Sequence, residues 1–415
     1  MTNKVEYLEN VLKSCYLPEL KQDLDNLPLQ SEYFREYRQA LEHQLPKLYG
    51  FIQQNEAWIL NGQDSDTVEL HASLLLLLCE ITAPAAIYVL ENQHLLQNAD
   101  KQLHQQIRNL TNKLDVKIFA YYKERLRISC WKRQLGAVHG FLRYLELRHS
   151  DSRGKCHSMS HDWLTFCLSV GLNLRECHEP IYKHFSTRIF QIMLQSANRS
   201  DILQLNIHSV IYAAVFKNVH TFDKVSETAA IWNCLLLCLD FYDDIDSLSW
   251  NMADDMMEVL VRNMTLASDA LVSTCLLKFV TKLGSYFSFN RKVIETKLNS
   301  NICIPEALMD CRNTCSNNNS YTPFRWAKSI LQLFISEAYK LTAGPNICRQ
   351  LLLEIHRCYM VCILPIPLEI SQHLLVPFLN KFIAALMETL VIQKNELDII
   401  KLVKALLETF YWHLK

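Results

Sequence analysis

Apolar residues recur every three or four positions along most of this chain, and polar residues fill the intervals. Residues 99–128 carry the longest uninterrupted example, with apolar positions at Leu103, Ile107, Leu110, Leu114, Ile118 and Tyr122. This spacing places apolar side chains on one face of an α-helix, so we expect one long amphipathic helix here. Upstream of it, the segment Gln63-Asp64-Ser65-Asp66 predicts a turn and an N-cap for a helix over residues 67–80.

Apolar helical segments become most frequent between residues 162 and 292, where short polar gaps separate them. Paired segments begin near Ile207 and Glu227, near Trp250 and Asp269, near Pro323 and Pro345, and near Pro367 and Asn395. The starts at 207 and 250 are 43 residues apart, and those at 323 and 367 are 44 apart. HEAT and armadillo units are helix pairs of about 40–47 residues. The period therefore predicts a repeat array of helix pairs.

Composition supports the same fold class. The 415 residues include only 8 glycines and 11 prolines, whereas average usage would give roughly 29 glycines. Sheets joined by hairpins need glycine-rich turns, and helix pairs do not. We therefore predict an all-α fold, a HEAT/armadillo-like α-solenoid of antiparallel helix pairs.

The polar segment HSDSRGKCHSMSH marks the clearest linker in the sequence. It is rich in serine and histidine and has no apolar periodicity. We place a linker at residues 151–161, between an N-terminal helical region (1–150) and a C-terminal HEAT-like α-solenoid (162–415).

Charge, cysteine content and the N-terminal residues bear on compartment and on partners. The formal net charge is −1, so no general attraction to nucleic acid or to an anionic membrane is expected. The 15 cysteines and the polar start MTNKVEYLENV, without an apolar signal region, indicate reduced thiols in a cytoplasmic protein that can also be nuclear. The longest nearly apolar run, 73–90, is interrupted by Glu80 and Pro84. It predicts a buried helix, a turn and a second helix, not a membrane span.

No motif of catalysis or of cofactor binding occurs. Cys156, His157 and His161 lie close together and Cys177-His178 follows, but the spacing fits no standard zinc finger and no Cys-x-x-Cys is present. Three cysteine pairs share helix faces at i and i+4 and are expected to pack in the core: Cys234/Cys238, Cys311/Cys315 and Cys358/Cys362. There is also no glycine-rich phosphate loop. We expect no catalytic residues, no metal and no cofactor.

One acidic cluster leaves an enzymatic alternative open. Its members are Asp240, Asp243, Asp244 and Asp246. All-α prenyl-transferring enzymes hold magnesium with aspartate-rich helices, but the position four residues after Asp243 is Ser247. We expect a polar helix end, whose carboxylates suit the dipole of the next helix.

One basic segment leaves a binding alternative open. Residues 123–133 hold Lys123, Arg125, Arg127, Lys132 and Arg133 among aromatic residues. Single-stranded nucleic acid is bound by such a mixture, but Glu124 and the neutral overall charge favour a solvated helix end or a contact with a partner.

Three segments of the central stretch resemble the core of the TELO-two-interacting protein two family. They are Gln204–Lys224, Ala229–Ile245 and Asp269–Gly284, and Tyr212, Val215, Phe216, His220-Thr221 and Leu235–Leu237 stand where that family has such residues. The resemblance extends over about residues 160–345. It implies a scaffold without an active site, the third subunit of the Triple T complex beside TELO-two and TELO-two-interacting protein one. That complex works with Hsp90 in the folding, assembly and stability of phosphatidylinositol-3-kinase-like kinases of the mTOR, ATM and ATR types.

A scaffold binds through exposed aromatic or arginine anchors, which carry most of the energy in protein interfaces. The residues that we expect to contact a partner are Trp250, Phe324, Trp326, Tyr411 and Trp412. Two other functions stay open. One is an unrelated HEAT or armadillo adaptor in transport or trafficking, and the other is an all-α metal-dependent enzyme that uses Asp243 and Asp244.

Overall fold

The fold is seen in a computed structural model, which describes residues 2–24, 30–61, 64–84, 86–108, 110–149, 159–217, 219, 224–242, 249–286, 322–366 and 368–414. These ranges contain seventeen α-helices and no strand, so the all-α prediction is confirmed. The chain divides into two compact units, Met1–Ala214 and Val215–Lys415.

Unit 1 is built around one helix whose C-terminal half is buried on every side. Its helices are α1 (Thr2–Cys15), α2 (Arg35–Asn61), α3 (Ser65–Ile81), α4 (Gln93–Arg108), α5 (Asn112–Arg125), α6 (Leu135–His149), α7 (His161–Arg175), α8 (Pro180–Ser196), α9 (Arg199–Gln204) and α10 (Ile207–Phe216), the last of which crosses the division. Residues 74–81 of α3 are all buried, because α1, α2, α4, α5 and α6 pack around them. A helical segment that is buried on every side needs neighbouring helices all around it.

Two expectations about unit 1 are wrong in detail, and one is confirmed. The helical pattern of residues 99–128 belongs to two helices, because Thr111 caps the start of α5 by accepting a hydrogen bond from the Leu114 amide. The apolar run 73–90 contains one helix and not two, since α3 ends at Ile81 and α4 begins only at Gln93. Asp64 is the N-cap of α3, as expected, and its side chain accepts from the Thr67 amide.

The predicted division at 151–161 differs from the division into units, although residues 150–158 lie outside the described residues. Helices on either side of it pack against each other within unit 1. The rings of Phe141 on α6 and Trp163 on α7 are stacked at 6.4 Å, and the Trp163 indole donates to Asp115 on α5 at 3.0 Å. These long-range contacts hold α7 and α8 to the N-terminal helices.

Unit 2 has the packing order of a helical repeat. Its helices are α11 (Val225–Leu239), α12 (Met252–Leu266), α13 (Ala270–Tyr286), α14 (Thr322–Glu337), α15 (Pro345–Cys358), α16 (Leu368–Ile392) and α17 (Leu397–Leu414). Most helices pack on the next one or the next but one, as α12 does on α13 and α14, and α15 on α17. In repeat proteins such nearest-neighbour contacts supply the stability. The predicted starts near 207, 227, 250, 269, 323, 345 and 395 each fall within two residues of an observed helix start.

Candidate functional site

The five predicted anchor residues belong to unit 2, and the structure places them differently. Trp250 precedes α12 and is 53% exposed, whereas Trp326 on α14 is only 9% exposed and belongs to the core. The two rings lie 5.7 Å apart. Tyr411 and Trp412, near the end of α17, are 63% and 39% exposed. The side chain of Phe324 lies outside the described residues.

The Trp250 indole donates a hydrogen bond to Asp255 at 2.6 Å, and its ring lies beside groups that the buried carboxylate of Asp254 holds. Asp254, 0% exposed, accepts hydrogen bonds from the Trp326 indole at 2.8 Å, from Arg325 and from the backbone amide of Asn251 at 3.1 Å. The guanidinium of Arg325 lies 5.6 Å from the Trp250 ring centre, which is a cation–π distance. Trp250 is therefore an exposed but ordered aromatic residue.

The last two helices carry the largest collection of exposed apolar side chains in the described part of the chain. Of its 22 exposed large hydrophobic residues, ten lie between residues 376 and 414. We call these ten the C-terminal apolar face: Val376, Ile383, Met387, Val391, Ile392, Leu397, Ile400, Tyr411, Trp412 and Leu414. Scattered exposed apolar residues are ordinary, but contiguous apolar patches mark interaction sites.

A groove crosses this face between α16 and α17. It is an open depression with a volume of about 380 Å³. Its lining consists of Leu390, Ile400, Val403, Leu407 and Tyr411, together with Lys404 and Glu408. A groove with an apolar floor and a few charged groups is the form that receives an amphipathic helix in protein recognition.

The inner side of the same two helices is well packed, so the exposure of the outer side is not due to fraying. The ring centres of Phe410 on α17 and Tyr359 lie 4.8 Å apart, and those of Phe378 and Phe382, both on α16, lie 5.1 Å apart. All four rings belong to the core. Tyr359 and His413 Nδ1 share a hydrogen bond of 2.7 Å. The last turn of α17, which carries Tyr411 and Trp412, is thereby tied to the segment that follows α15.

Two buried side chains tie α15 to α17 in the same way. His356 Nε2 of α15 and Thr409 Oγ1 of α17 share a hydrogen bond of 2.8 Å. Burial lowers the pKa of His356 to about 4, so this histidine is neutral near pH 7. The C-terminal apolar face thus sits on a rigid support.

The apolar character of α16 also meets the length criterion for a membrane span. The segment Ser371–Ile392 has a mean hydropathy of 1.7, and a third of it is buried. Lys381, Glu388 and Lys394 are exposed on or next to this segment, and charges at membrane depth are costly. These charged side chains therefore disfavour burial of the segment in a bilayer.

The cysteine candidates that the structure describes are core residues. Cys234, Cys238, Cys358 and Cys362 are all buried, and the sulfurs of the last two lie 3.9 Å apart. Cys156, His157, Cys311 and Cys315 lie outside the described residues. Among those described, no three His, Cys, Asp or Glu side chains come together as a metal site requires.

The acidic cluster is described only at its first member. The Asp240 carboxylate accepts a hydrogen bond from the Tyr286 hydroxyl at 3.1 Å, which joins the end of α11 to the end of α13. Asp243, Asp244 and Asp246 lie outside the described residues. Where it is described, the cluster makes a contact between helices.

The basic segment 123–133 is engaged in local contacts. Arg125 lies over the Tyr121 ring at 4.5 Å, and Lys132 lies over Trp131 at 5.9 Å. Arg133 forms an ion pair with Asp23 at 2.6 Å. Part of the local positive charge is neutralised in this way.

Sequence reasoning found two residues of the C-terminal apolar face, Tyr411 and Trp412, and missed the other eight. A signal was present, because residues 374–392 are apolar at positions that face in every direction around α16. Periodicity cannot show which side of such a helix stays uncovered. No protein-family model, curated protein or solved structure matches this chain.

Proposed function

We propose that this protein is a non-catalytic helical scaffold that binds another protein through its C-terminal apolar face. The observation that carries the proposal is the concentration of ten exposed apolar side chains, two of them aromatic, on one rigid helix pair. Burying a single large apolar side chain contributes about 1.5–3 kcal/mol. Covering several of them at once is therefore strongly favourable.

The sequence resemblance suggests the identity of the partner. On that basis the chain is a subunit of a Triple T-type complex, whose partners are TELO-two-interacting protein one and TELO-two homologues. Its role is that of a co-chaperone scaffold that supports phosphatidylinositol-3-kinase-like kinases together with the Hsp90 system, in cytoplasm and nucleus. The all-α repeat-like fold supports this role, because repeat arrays offer extended binding surfaces. An unrelated adaptor in transport or trafficking would use the same face and differ only in its partner.

The test is affinity purification of the full chain from its native cells, followed by mass spectrometry. Wild type is compared with Ile400→Glu, which places a charge in the groove, and with Leu266→Glu as control. Leu266 is 76% exposed and is the last residue of α12, so it is not part of this helix pair. We expect wild type and Leu266→Glu to recover the Triple T subunits and Ile400→Glu to lose them.

Two outcomes contradict the proposal in different ways. Recovery of transport or trafficking proteins without Triple T subunits would contradict the proposed partner but not docking through the C-terminal apolar face. Equal recovery of partners by Ile400→Glu and wild type would contradict docking through that face. Circular dichroism of both variants verifies that helix content is unchanged.

A further inference from the structure

We propose that a second copy of this chain covers the C-terminal apolar face when no other protein does. The two α17 helices then pack antiparallel, and the two α16–α17 pairs form a four-helix bundle. This inference uses the same face as the proposed function but does not depend on the partner suggested there.

The first argument is the spacing of side chains along α17. Residues Leu397, Ile400, Lys404, Leu407, Tyr411 and Leu414 follow each other at intervals of three and four. All six are exposed or half-buried. Such alternation of three and four is the seam of a helix that packs on another helix. Five of its six positions are apolar, and the exception is Lys404.

The second argument is that α16 carries a matching stripe. Its members are Val376, Asn380, Ile383, Met387 and Leu390, again at intervals of four and three. Asn380 is an exposed polar interruption of this stripe, and Leu390 lines the groove. Four-helix bundles consist of helices that each present one apolar stripe to a shared core. One α16–α17 pair is half of such a bundle.

The third argument is the register of the charges on α17. In an antiparallel pair centred between Lys404 and Leu407, Leu397 faces Leu414 of the second copy, and Ile400 faces Tyr411 of the second copy. Glu408 then lies beside Lys401 and Lys404 of the second copy, and the symmetry repeats this contact. A parallel pair would instead place Lys404 against Lys404 in the seam. The charge order therefore selects the antiparallel two-fold arrangement, in which one patch is complementary to itself.

The charged groups can adopt this arrangement at little cost. Within one chain, Lys404 and Glu408 form an i, i+4 ion pair at 3.8 Å, with side chains that are 76% and 58% exposed. Exposed ion pairs of this kind are weak. Exchanging it for ion pairs between copies at the solvated edge of the helix pair therefore costs little.

The experiment measures the mass of the purified full chain by sedimentation velocity over a dilution series. We expect wild type to form a dimer, and we expect Lys404→Glu and Glu408→Lys to raise its dissociation constant at least tenfold. An equimolar mixture of the two variants restores the dimer, because one variant is then acidic at both positions and the other is basic at both. Each of the two symmetry-related contacts in the mixed dimer therefore joins a carboxylate to an ammonium group. Both residues are exposed, so the variants are expected to fold, and circular dichroism checks this.

Several results would overturn the inference. These are a wild-type monomer at every concentration, a dimer that neither variant weakens, and a mixture that does not restore dimerisation. Wild-type monomers that bind neutral phosphatidylcholine vesicles would assign the face to lipid instead. If the protein is monomeric but still recovers Triple T subunits from cells, only the dimer inference is contradicted. If it is a dimer but recovers no Triple T subunits, only the proposed function is contradicted.

Discussion

At the scale of single residues, the most unusual group is the carboxyl of Glu80, buried in the centre of unit 1. The Tyr121 hydroxyl donates a hydrogen bond to it at 2.9 Å. It lies against the bare backbone of α6, where a Cβ added at Gly136 would stand 2.4 Å from the Glu80 carboxyl, and one added at Gly140 would stand 2.9 Å from its Cγ. The two glycines are therefore required for α3 and α6 to approach this closely.

Burial raises the pKa of Glu80 from 4.5 to about 7, against the lowering effects of Tyr121 and Arg125. A raised carboxyl pKa means that the folded state favours the protonated form. The folded protein should thus lose stability as pH rises from about 4.5 to about 7, by about 3 kcal/mol in total. Glu80→Gln has no group that titrates at this position and should not show this loss. The free energy of unfolding of Glu80→Gln, relative to that of wild type, should therefore increase by about 3 kcal/mol between pH 4.5 and pH 8.

Urea unfolding of both proteins at several pH values measures the difference. Buried His139 and His356 act in the opposite direction, because burial lowers each pKa to about 4 and their protonation destabilises the fold as pH falls below 6.5. Both proteins contain these histidines, and their contribution cancels in the comparison. A difference that stays constant across the pH range would show that Glu80 does not titrate in this window.

A second residue-scale prediction concerns Asp254, which joins α12 to α14. Asp254→Ala removes the acceptor of the buried Trp326 indole and the ion-pair partner at 0% exposure that Arg325 contacts, and we expect a loss of about 3 kcal/mol in the free energy of unfolding. The neighbouring Asp255 accepts only from the exposed Trp250 indole, at 2.6 Å. Asp255→Ala serves as the control and should cost less than about 1 kcal/mol. Equal losses in the two variants would contradict the role given to Asp254.

At the scale of elements, the α16–α17 pair exposes more large apolar side chains than any other part of the chain that the structure describes. We predict that Tyr411→Ala weakens binding of the protein partner by about 2 kcal/mol, close to 30-fold in dissociation constant, as truncation of a tyrosine anchor does. Isothermal titration calorimetry with the purified partner measures this change.

Tyr339 provides a matched control for that measurement. It is 65% exposed, against 63% for Tyr411, and lies in the short segment after α14. Tyr339→Ala should leave the affinity unchanged. Equal effects of both substitutions would mean that exposed tyrosines matter in general and that the C-terminal apolar face has no special role.

The element scale also shows how far the sequence allows prediction. The presence of helices and most helix starts can be predicted from apolar spacing, because a helix that buries one face has apolar residues every three or four positions. The break between α4 and α5 was missed, since the apolar spacing continues across it and only Thr111 signals a cap. Trp250 and Trp326 look alike in the sequence, yet one is exposed and the other is buried. The buried indole of Trp326 donates to Asp254, which is 72 residues away in the sequence, and local spacing does not show such a contact.

At the scale of the whole molecule, the chain forms two compact units whose division lies at 214–215. Composition predicted a division at 151–161, where the polar linker stands. The contacts that join α7 to α5 and α6 run between residues far apart in sequence, such as Trp163 and Asp115. Local composition carries no information about such contacts, and the linker joins two helices of the same unit.

The observed apolar face and the proposed partner rest on different grounds. The C-terminal apolar face belongs to unit 2 and is described residue by residue. The partner that we propose for it rests on the resemblance of about residues 160–345 to the TELO-two-interacting protein two family. A single binding measurement tests both the face and the partner.

That measurement is co-expression of the full chain with a TELO-two-interacting protein one homologue, followed by purification on a tag carried by the homologue. We predict that the wild-type chain and Leu266→Glu co-purify with the homologue in equal amounts and that Ile400→Glu does not. Failure of the wild-type chain to co-purify would contradict the proposed partner. Co-purification of Ile400→Glu at the wild-type level would contradict docking through the C-terminal apolar face.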